Sequence, residues 1–468
     1  MHEDEFRPCP FYNFKDLLML VKVMFGATHD PNILYLTRTQ LDDNVLVIKL
    51  EDNRVFLIVS ENDFSRACIR CSHAHVMQHL DFEERCSSVS QIIYTIYERY
   101  GGTSILMPFT FPVGLFVKLK ELSPSIPMTI VKNQSFLIER LRKTPMELQY
   151  IKDAVRAATV AFSLIEDVLR RSVIELDPAA GCIPKTADKP GSVAFPLFTD
   201  TNTIRSKRLS EYPQNSHEVQ FIQNDKVPTS QYSNISGIDP EGLETYVSID
   251  NCRYILKDTK TNETVTANYL KNMVRTEMAR LGYFLESCII ACGRQACDPS
   301  CHGYGVLRPN ELIICDIYPR CIESGYYGDM TRTFLKGTPS PDQQKLMQTV
   351  LHAQSMAIHE IMPGKPYKDL NKVVNDLFLS MNYTTKKVGS HWQGFCHGLG
   401  HGVGLEIHEP PFIDSEETSD VCTVGTVFTI EPGLYYPSIG GCRVEDVVVV
   451  TEDGAEVLGS YNYNWIIP

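Results

Sequence analysis

The sequence predicts an α/β (α+β) chain of 468 residues: a small amino-terminal α/β domain over 1–140, then a pseudo-two-fold domain over 144–468 that carries a long insertion at about 173–263. Three observations predict it. One helix-start signature occurs twice, at Thr144-Pro-Met-Glu147 and at Ser340-Pro-Asp-Gln343. Each is followed by a shorter helical segment and then by β-type runs bearing two acids. Ahead of Thr144 lies a separate alternation of strand-like and helix-like segments. The length also exceeds what one hydrophobic core ordinarily supports.

In the first 140 residues, Val45–Leu50 and Arg54–Ser60 read as strands, and Ser88–Tyr100 and Phe116–Leu122 read as helices. No phosphate loop or ligand cluster appears there. This predicts a structural domain that covers an active site or builds a homo-oligomer interface.

Thr144 is a helix cap, Pro145 suits the first helical position, and Glu147 is the reciprocal acid three residues after the cap. Leu148, Ile151, Val155, Ala158, Phe162, Ile165 and Leu169 then recur at steps of three and four, which puts them on one helix face running to about Ser172. The second copy runs through Leu346, Val350, Ala353, Ala357 and Ile361 to the stop at Pro363-Gly364. The partner helices are Tyr269–Leu281, ended by Gly282, and Tyr367–Met381, ended by Asn382; both terminal residues readily take the left-handed conformation.

After each helix pair come the acids. Asp316 closes Leu312-Ile-Ile-Cys and Asp329 follows 13 residues later; Glu431 closes Val427-Phe-Thr-Ile and Glu445 follows 14 residues later. Two such units facing each other would bring four carboxylates to one centre. The same comparison locates the insertion, because Pro145 to Gly282 is 137 residues whereas Pro341 to Asn382 is 41. The surplus is rich in Pro, Ser, Thr, Asn and Asp, with only Tyr246–Leu256 strand-like, and its role is unreadable.

Composition narrows the function. A net charge of -13 argues against nucleic acid and anionic membranes as partners, since both need a Lys/Arg excess. The N-terminus lacks a signal-peptide pattern, Leu17–Phe25 is too short to span a bilayer, and fifteen cysteines fit a reducing compartment, so a cytoplasmic protein is expected.

The chemistry concentrates in His397-Gly-Leu-Gly-His401-Gly-Val-Gly-Leu-Glu-Ile-His408-Glu409. Asp316, Asp329, His401, Glu431 and Glu445 together offer one imidazole and four carboxylates, which two divalent cations would neutralise. Water shared by two such ions becomes hydroxide near neutral pH, a nucleophile for a carbonyl carbon. His397 and His408 are better suited to substrate, where they would polarise a carbonyl or protonate a leaving nitrogen. His302 is a further candidate of that kind.

These motifs resemble the pita-bread metallopeptidases, in particular the proline-specific branch of Xaa-Pro aminopeptidase (aminopeptidase P) and prolidase. The likeness spans Thr144 to about Val457 apart from the insertion, and Asn32-Ile-Leu-Tyr-Leu with Arg142-Lys-Thr-Pro-Met-Glu147 resembles that branch's amino-terminal domain and linker. The resemblance implies Asp316, Asp329, His401, Glu431 and Glu445 as metal ligands, and His302, His397 and His408 as substrate-site histidines. It implies Glu431 as proton acceptor and Arg443 as a residue steadying Glu445 or a carboxylate. It also implies two divalent ions, manganese first with cobalt, zinc or iron as alternatives, and a peptide substrate with proline in second position. Aminopeptidase action is the first expectation, dipeptidase action the second, and a catalytically inactive binding protein a further alternative. Methionine aminopeptidases share the catalytic fold but usually lack the amino-terminal domain.

The spacing from Asp316 to Asp329 exceeds the family's usual one by about two residues, which enlarges the turn at Pro319-Arg-Cys-Ile, and His302 lies slightly closer to Asp316 than in aminopeptidase P. Other histidines (His29, His217, His352, His359, His391) read as structural. Cys288, Cys292, Cys297 and Cys301 lack the paired short spacing of a zinc ribbon, and Cys68–His75 reads as a solvated loop or edge.

Overall fold

Apolar runs ahead of Thr144 assemble into a sheet with helices on both faces. The computed structural model describes residues 19–82, 88–132, 136–178, 253–389, 391–414 and 420–468. Its first strands are β1 (Met19–Gly26), β2 (Val45–Leu50), β3 (Val55–Val59), β4 (His75–Gln78), β5 (Gly102–Pro108) and β6 (Met128–Val131). They lie in the order β4-β3-β2-β1-β5-β6. The helices are α1 (Pro31–Thr37), α2 (Glu61–Arg70), α3 (Val89–Arg99) and α4 (Val113–Leu122). Leu46 and Ile48 of β2 pack with Ile92, Ile93 and Ile96 of α3, while Val45 and Val47 pack with Ile33 of α1 and Ala67 of α2. A strand buried on both faces carries apolar residues at every position, which explains the unbroken Val45-Leu-Val-Ile. Cys68 lies in the last turn of α2, residues 71–74 form the turn that follows, and His75 opens the edge strand β4, so the Cys68–His75 segment is loop and edge apart from that helical end.

Both predicted long helices form. α5 (Pro145–Arg171) begins with a complete capping box between Thr144 and Glu147, and buries Ile151, Val155, Ala158, Phe162, Ile165 and Leu169. After it, β7 (Ser172–Leu176) pairs antiparallel with β8 (Tyr254–Asp258), so both ends of the segment assigned to the insertion are ordered as a ribbon. Residues 179–252 of that segment lie outside the described residues. α6 (Ala267–Arg280) packs on α5 and ends at Gly282, where φ is 84°.

β9 (Tyr283–Phe284), β10 (Ile289–Cys292), β11 (Ile313–Asp316), β12 (Arg320–Cys321) and β13 (Met330–Lys336) complete the first half. The enlarged turn at Pro319–Ile322 is β12, which pairs with β9. The second half repeats the plan. α7 (Pro341–His359) has its own capping box between Ser340 and Gln343, and α8 (Tyr367–Ser380) packs on it and ends at Asn382 with φ 67°. Its strands are a hairpin of β14 (Lys386–Val388) and β15 (His391–Gln393), then β16 (Gly400–Gly402), β17 (Glu409–Ile413) and β18 (Val427–Ile430). A ribbon of β19 (Gly433–Tyr436) and β20 (Gly440–Arg443) follows, with β21 (Glu445–Thr451), β22 (Gly454–Val457) and β23 (Ile466–Ile467).

The main sheet runs β10-β11-β13-β21-β18-β16-β17, with β22 on β21 and β23 beside β13. Outward from the β13/β21 seam, β11 and β10 on one side answer β18 and β16 on the other. That palindromic order is the internal repeat expressed in space. Among the described residues no helix is long and apolar enough to cross a membrane.

The seam contains one buried ion pair that leaves little freedom. Arg332 on β13 donates to Asp446 Oδ1 at 2.8 Å and to the Glu445 carbonyl at 2.7 Å, while Gln354 and Tyr463 donate to Asp446 Oδ2. Removing one partner strands the other charge in the core. Asp446→Ala should lower unfolding stability by about 3–5 kcal/mol in denaturant titration of the metal-free protein, whereas a loss below about 1 kcal/mol would show that the pair does not hold the seam.

Candidate metal centre

Strand register delivers the acids. Asp316 is the last residue of β11, opposite Thr331 of β13, and Thr331 is in turn opposite Glu445 of β21. Asp329 immediately precedes β13, and Glu431 immediately follows β18, whose Ile430 pairs with Asp446. Four acids separated by up to 129 positions thus converge on one seam.

His401 comes from the mirrored strand β16. Its backbone N–H donates to Thr429 Oγ1 at 3.0 Å, and the Thr429 hydroxyl lies 3.3 Å from Glu431 Oε1. The glycines around His401 serve close packing rather than looseness. None of Gly398, Gly400, Gly402 and Gly404 has positive φ among the residues that do. A Cβ on Gly400 would stand 1.9 Å from the Thr429 carbonyl oxygen, and one on Gly402 2.3 Å from that of Pro410. A side chain at Gly400 or Gly402 would thus collide with the neighbouring strands.

Asp329, His401 and Glu445 offer ligand atoms that all lie within 4.8 Å of one another. His401 Nε2 is 3.2 Å from Glu431 Oε1 and 3.7 Å from Asp329 Oδ2. Asp316 Oδ1 and Asp329 Oδ1 are buried without a hydrogen-bond partner, which is how carboxylate oxygens stand when they serve a cation. Imidazole with carboxylates is a donor set suited to divalent transition metals, so the residues present fit such ions.

The electrostatics agree. Burial, reinforced by the neighbouring carboxylates, pushes Asp329 and Glu445 well above the usual carboxylate range. Asp316 is raised by burial too, against the pull of Arg443. Glu431 goes the other way: burial disfavours its charge, but His401, followed by His397 and Arg443, holds it down at about 2. Burial likewise opposes an imidazolium at His401, and Glu431 more than offsets it, so His401 is raised.

Arg443 is 3% exposed and donates to Asp316 Oδ2 at 2.7 Å; its Nε is 3.9 Å from Glu431 Oε2. Glu445 is instead held by Thr331, whose hydroxyl donates at 2.7 Å. His397 is spoken for on both ring nitrogens: Nδ1 meets the Gly398 carbonyl at 2.7 Å and Nε2 meets Tyr435 OH at 2.8 Å. Arg443 Nη1 donates to the same Tyr435 hydroxyl at 2.9 Å, so a chain runs from His397 through Tyr435 and Arg443 to Asp316. His408 reaches solvent with its ring 4.3 Å from that of His401. The protein packed around it, with His401 beside it, brings its pKa down to about 4, so it is neutral at pH 7. His302 is exposed and meets Ser287 Oγ at 2.7 Å; no described contact joins it to the acids.

Tyr435, Thr331 and Thr429 escape sequence reasoning. The one available signal is a polar residue recurring inside an otherwise buried β-type run.

Residues 246–452 match the model of metallopeptidase family M24. An Xaa-Pro dipeptidase of Pyrococcus furiosus is 38% identical over 173 residues, 36% of this chain and 46% of that protein. An uncharacterized peptidase of Staphylococcus haemolyticus is 35% identical over 201 residues, 42% and 54% respectively. The chain thus spans about half the length of these curated relatives. Among solved structures, the Xaa-Pro dipeptidase from Bacillus anthracis aligns with TM-score 0.65 at 19% identity, over 96% of this chain and 95% of that one. The X-Pro aminopeptidase from Thermotoga maritima aligns with TM-score 0.64 at 17% identity, over 96% and 98%. The prolidase from Pyrococcus horikoshii aligns with TM-score 0.60 at 20% identity, over 96% and 95%. The family match begins beyond α5. The chain therefore shares its fold with these prolidase and aminopeptidase structures, the pita-bread unit following the amino-terminal sheet, and residues 246–452, which hold every candidate site residue, match the metallopeptidase family M24 model.

Proposed function

We propose that this protein is a metal-dependent exopeptidase that hydrolyses the bond between an amino-terminal residue and a following proline, in the Xaa-Pro aminopeptidase form. The observation that carries the reading is the buried convergence of Asp329, His401 and Glu445 within 4.8 Å, beside unpartnered oxygens of Asp316 and Asp329. The Xaa-Pro names of the relatives and of the structural neighbours support the substrate class. A dipeptidase is the second reading, favoured by the name of the 38% identical relative. A catalytically inactive binding protein would have reason to lose ligands, yet all five positions hold competent residues. The amino-terminal sheet over 1–140 and the pita-bread unit over 144–468 are proposed as separate domains.

In this reading Asp316, Asp329, His401, Glu431 and Glu445 hold two divalent ions, manganese foremost. Such a pair supplies Lewis-acid polarisation of the scissile carbonyl and makes water a nucleophile at neutral pH. The chain's own groups divide the remaining work. Glu431, ionised because His401 and Arg443 face it, accepts a proton from the attacking water at a carboxylate oxygen. His408, neutral and reaching solvent, donates to the substrate carbonyl as charge develops there. His397 keeps Tyr435 and Arg443 in line, and takes up substrate only by exchanging one of its two ring contacts. His302, exposed and held by Ser287, is assigned a substrate-facing role by the family resemblance alone. A specialist is needed because the Xaa-Pro nitrogen bears no hydrogen and the ring restricts the backbone shapes that other peptidases bind.

The decisive experiment offers the Mn- or Co-supplemented protein Xaa-Pro and Xaa-Pro-Xaa-Xaa peptides and follows products by mass spectrometry. Release of the first residue from the longer peptide is expected. Cleavage of dipeptides alone would replace the first reading by the second, and no cleavage of either would overturn both. His401→Ala and Asp329→Asn should each reduce kcat/KM by about 100-fold or more and lower metal stoichiometry.

Metal binding should also release protons. Asp329 and Glu445 have raised pKa values and His401 is raised as well, so without metal these groups retain protons that a ligand must give up. Affinity should therefore fall as pH falls. Calorimetry in buffers of different ionisation enthalpy reads the released protons, and a pH-independent affinity between pH 6 and about 8 would contradict the ligand set.

A further inference from the structure

Glu409 directly follows His408 and is 2% exposed. Its Oε1 accepts from Lys143 Nζ at 2.6 Å, and its Oε2 accepts from Arg140 Nη2 at 2.6 Å and from the Glu406 N–H at 3.2 Å. Arg140 also reaches Glu406 Oε2 at 2.7 Å and, through Nη1, Asn32 Oδ1 on α1 at 3.0 Å. Lys143 closes the ring by donating to the Arg140 carbonyl at 2.6 Å. The side chains of Arg140, Lys143 and Glu409 are 7%, 2% and 3% exposed.

The turn between Gly404 and Glu409 is wrapped around that carboxylate. A Cβ on Gly404 would lie 2.4 Å from Glu409 Oε1, so only glycine leaves room. Gly404 in turn accepts from the Tyr327 N–H at 2.8 Å, two residues before Asp329. The cations sit on the segment joining the amino-terminal sheet to α5, and that segment is itself pinned where Lys143 N–H donates to the Gly425 carbonyl at 2.8 Å. Burying two cations with one or two acids is a poor way to gain stability, since desolvation offsets most of the attraction. It is a good way to hold one geometry, because each oxygen of the Glu409 carboxylate is met by its own directed cation, Lys143 at Oε1 and Arg140 at Oε2.

We propose that Arg140 and Lys143 are positioning residues that act through Glu409 to hold the turn carrying His408, and so make the linker part of the active-site framework. The activity arm of this proposal rests on the Xaa-Pro exopeptidase reading; the clamp itself does not.

The test uses the full-length, metal-loaded protein and the variants Lys143→Met, Lys143→Arg and Arg140→Lys. In Lys143→Met, hydrogen exchange of amides 404–409 should rise by about 10-fold or more while amides of α7 keep wild-type rates. Metal stoichiometry should stay unchanged, and kcat should fall about 10- to 100-fold with KM moving less than about 3-fold. Lys143→Arg should restore most of both. Arg140→Lys, which keeps the charge but cannot span Asn32 and both acids, should show a smaller change of the same sign and decides the matter if Lys143→Met does not fold. Unchanged exchange at 404–409, or unchanged kcat in the metal-loaded variants, would overturn the proposal. A wild-type protein that cleaves no Xaa-Pro peptide would sink the exopeptidase reading alone, and the exchange measurement would then judge the clamp.

Discussion

Four carboxylates buried along the seam where β13 meets β21 are the constraint on which the rest of the structure depends. Like charges this close and this dry cannot all stay ionised. The chain supplies one guanidinium, Arg443, and one imidazole, His401; these hold Glu431 ionised and only moderate Asp316, which burial still raises, and they leave Asp329 and Glu445 with strongly raised pKa values. The two unpartnered oxygens on Asp316 and Asp329 are the same deficit in geometric form. Apolar residues at these positions would fold more easily, and the donor set present is one that suits divalent cations.

The surroundings are arranged to hold that unfavourable charge in register. Thr331 donates to Glu445, Thr429 ties His401 to Glu431, and Arg332 with Asp446 locks the two central strands from behind. Tyr435 links His397 to Arg443, so a histidine expected to face substrate also belongs to the network behind the acids. At the opposite rim, Arg140 and Lys143 meet Glu409 next to His408. The histidine tract is thereby gripped from two directions.

Much of this was legible without coordinates. Caps, helix faces and left-handed stops at Gly282 and Asn382 are local, governed by residues within a turn of one another, and they appear where expected. The acids were legible because the repeat aligns them. The threonines and Tyr435 were not, because a hydroxyl in a buried strand has no sequence signature until its cross-strand partner is known. The glycines of the tract were legible as glycines but not in purpose, because what requires them is the absence of a Cβ against the Thr429 and Pro410 carbonyls on neighbouring strands.

The sequence by itself determined the two-half architecture, the four acids and the histidine tract, since each depends on periodicity and spacing along the chain. Only the tertiary structure decided which atoms face each other: that Arg443 serves Asp316, that His397 is engaged on both nitrogens, that His408 reaches solvent, and that the linker clasps Glu409. Those facts depend on strand register across the seam and on contacts between residues as much as 269 positions apart, as from Arg140 to Glu409. Such pairings leave no local trace in a single chain of letters.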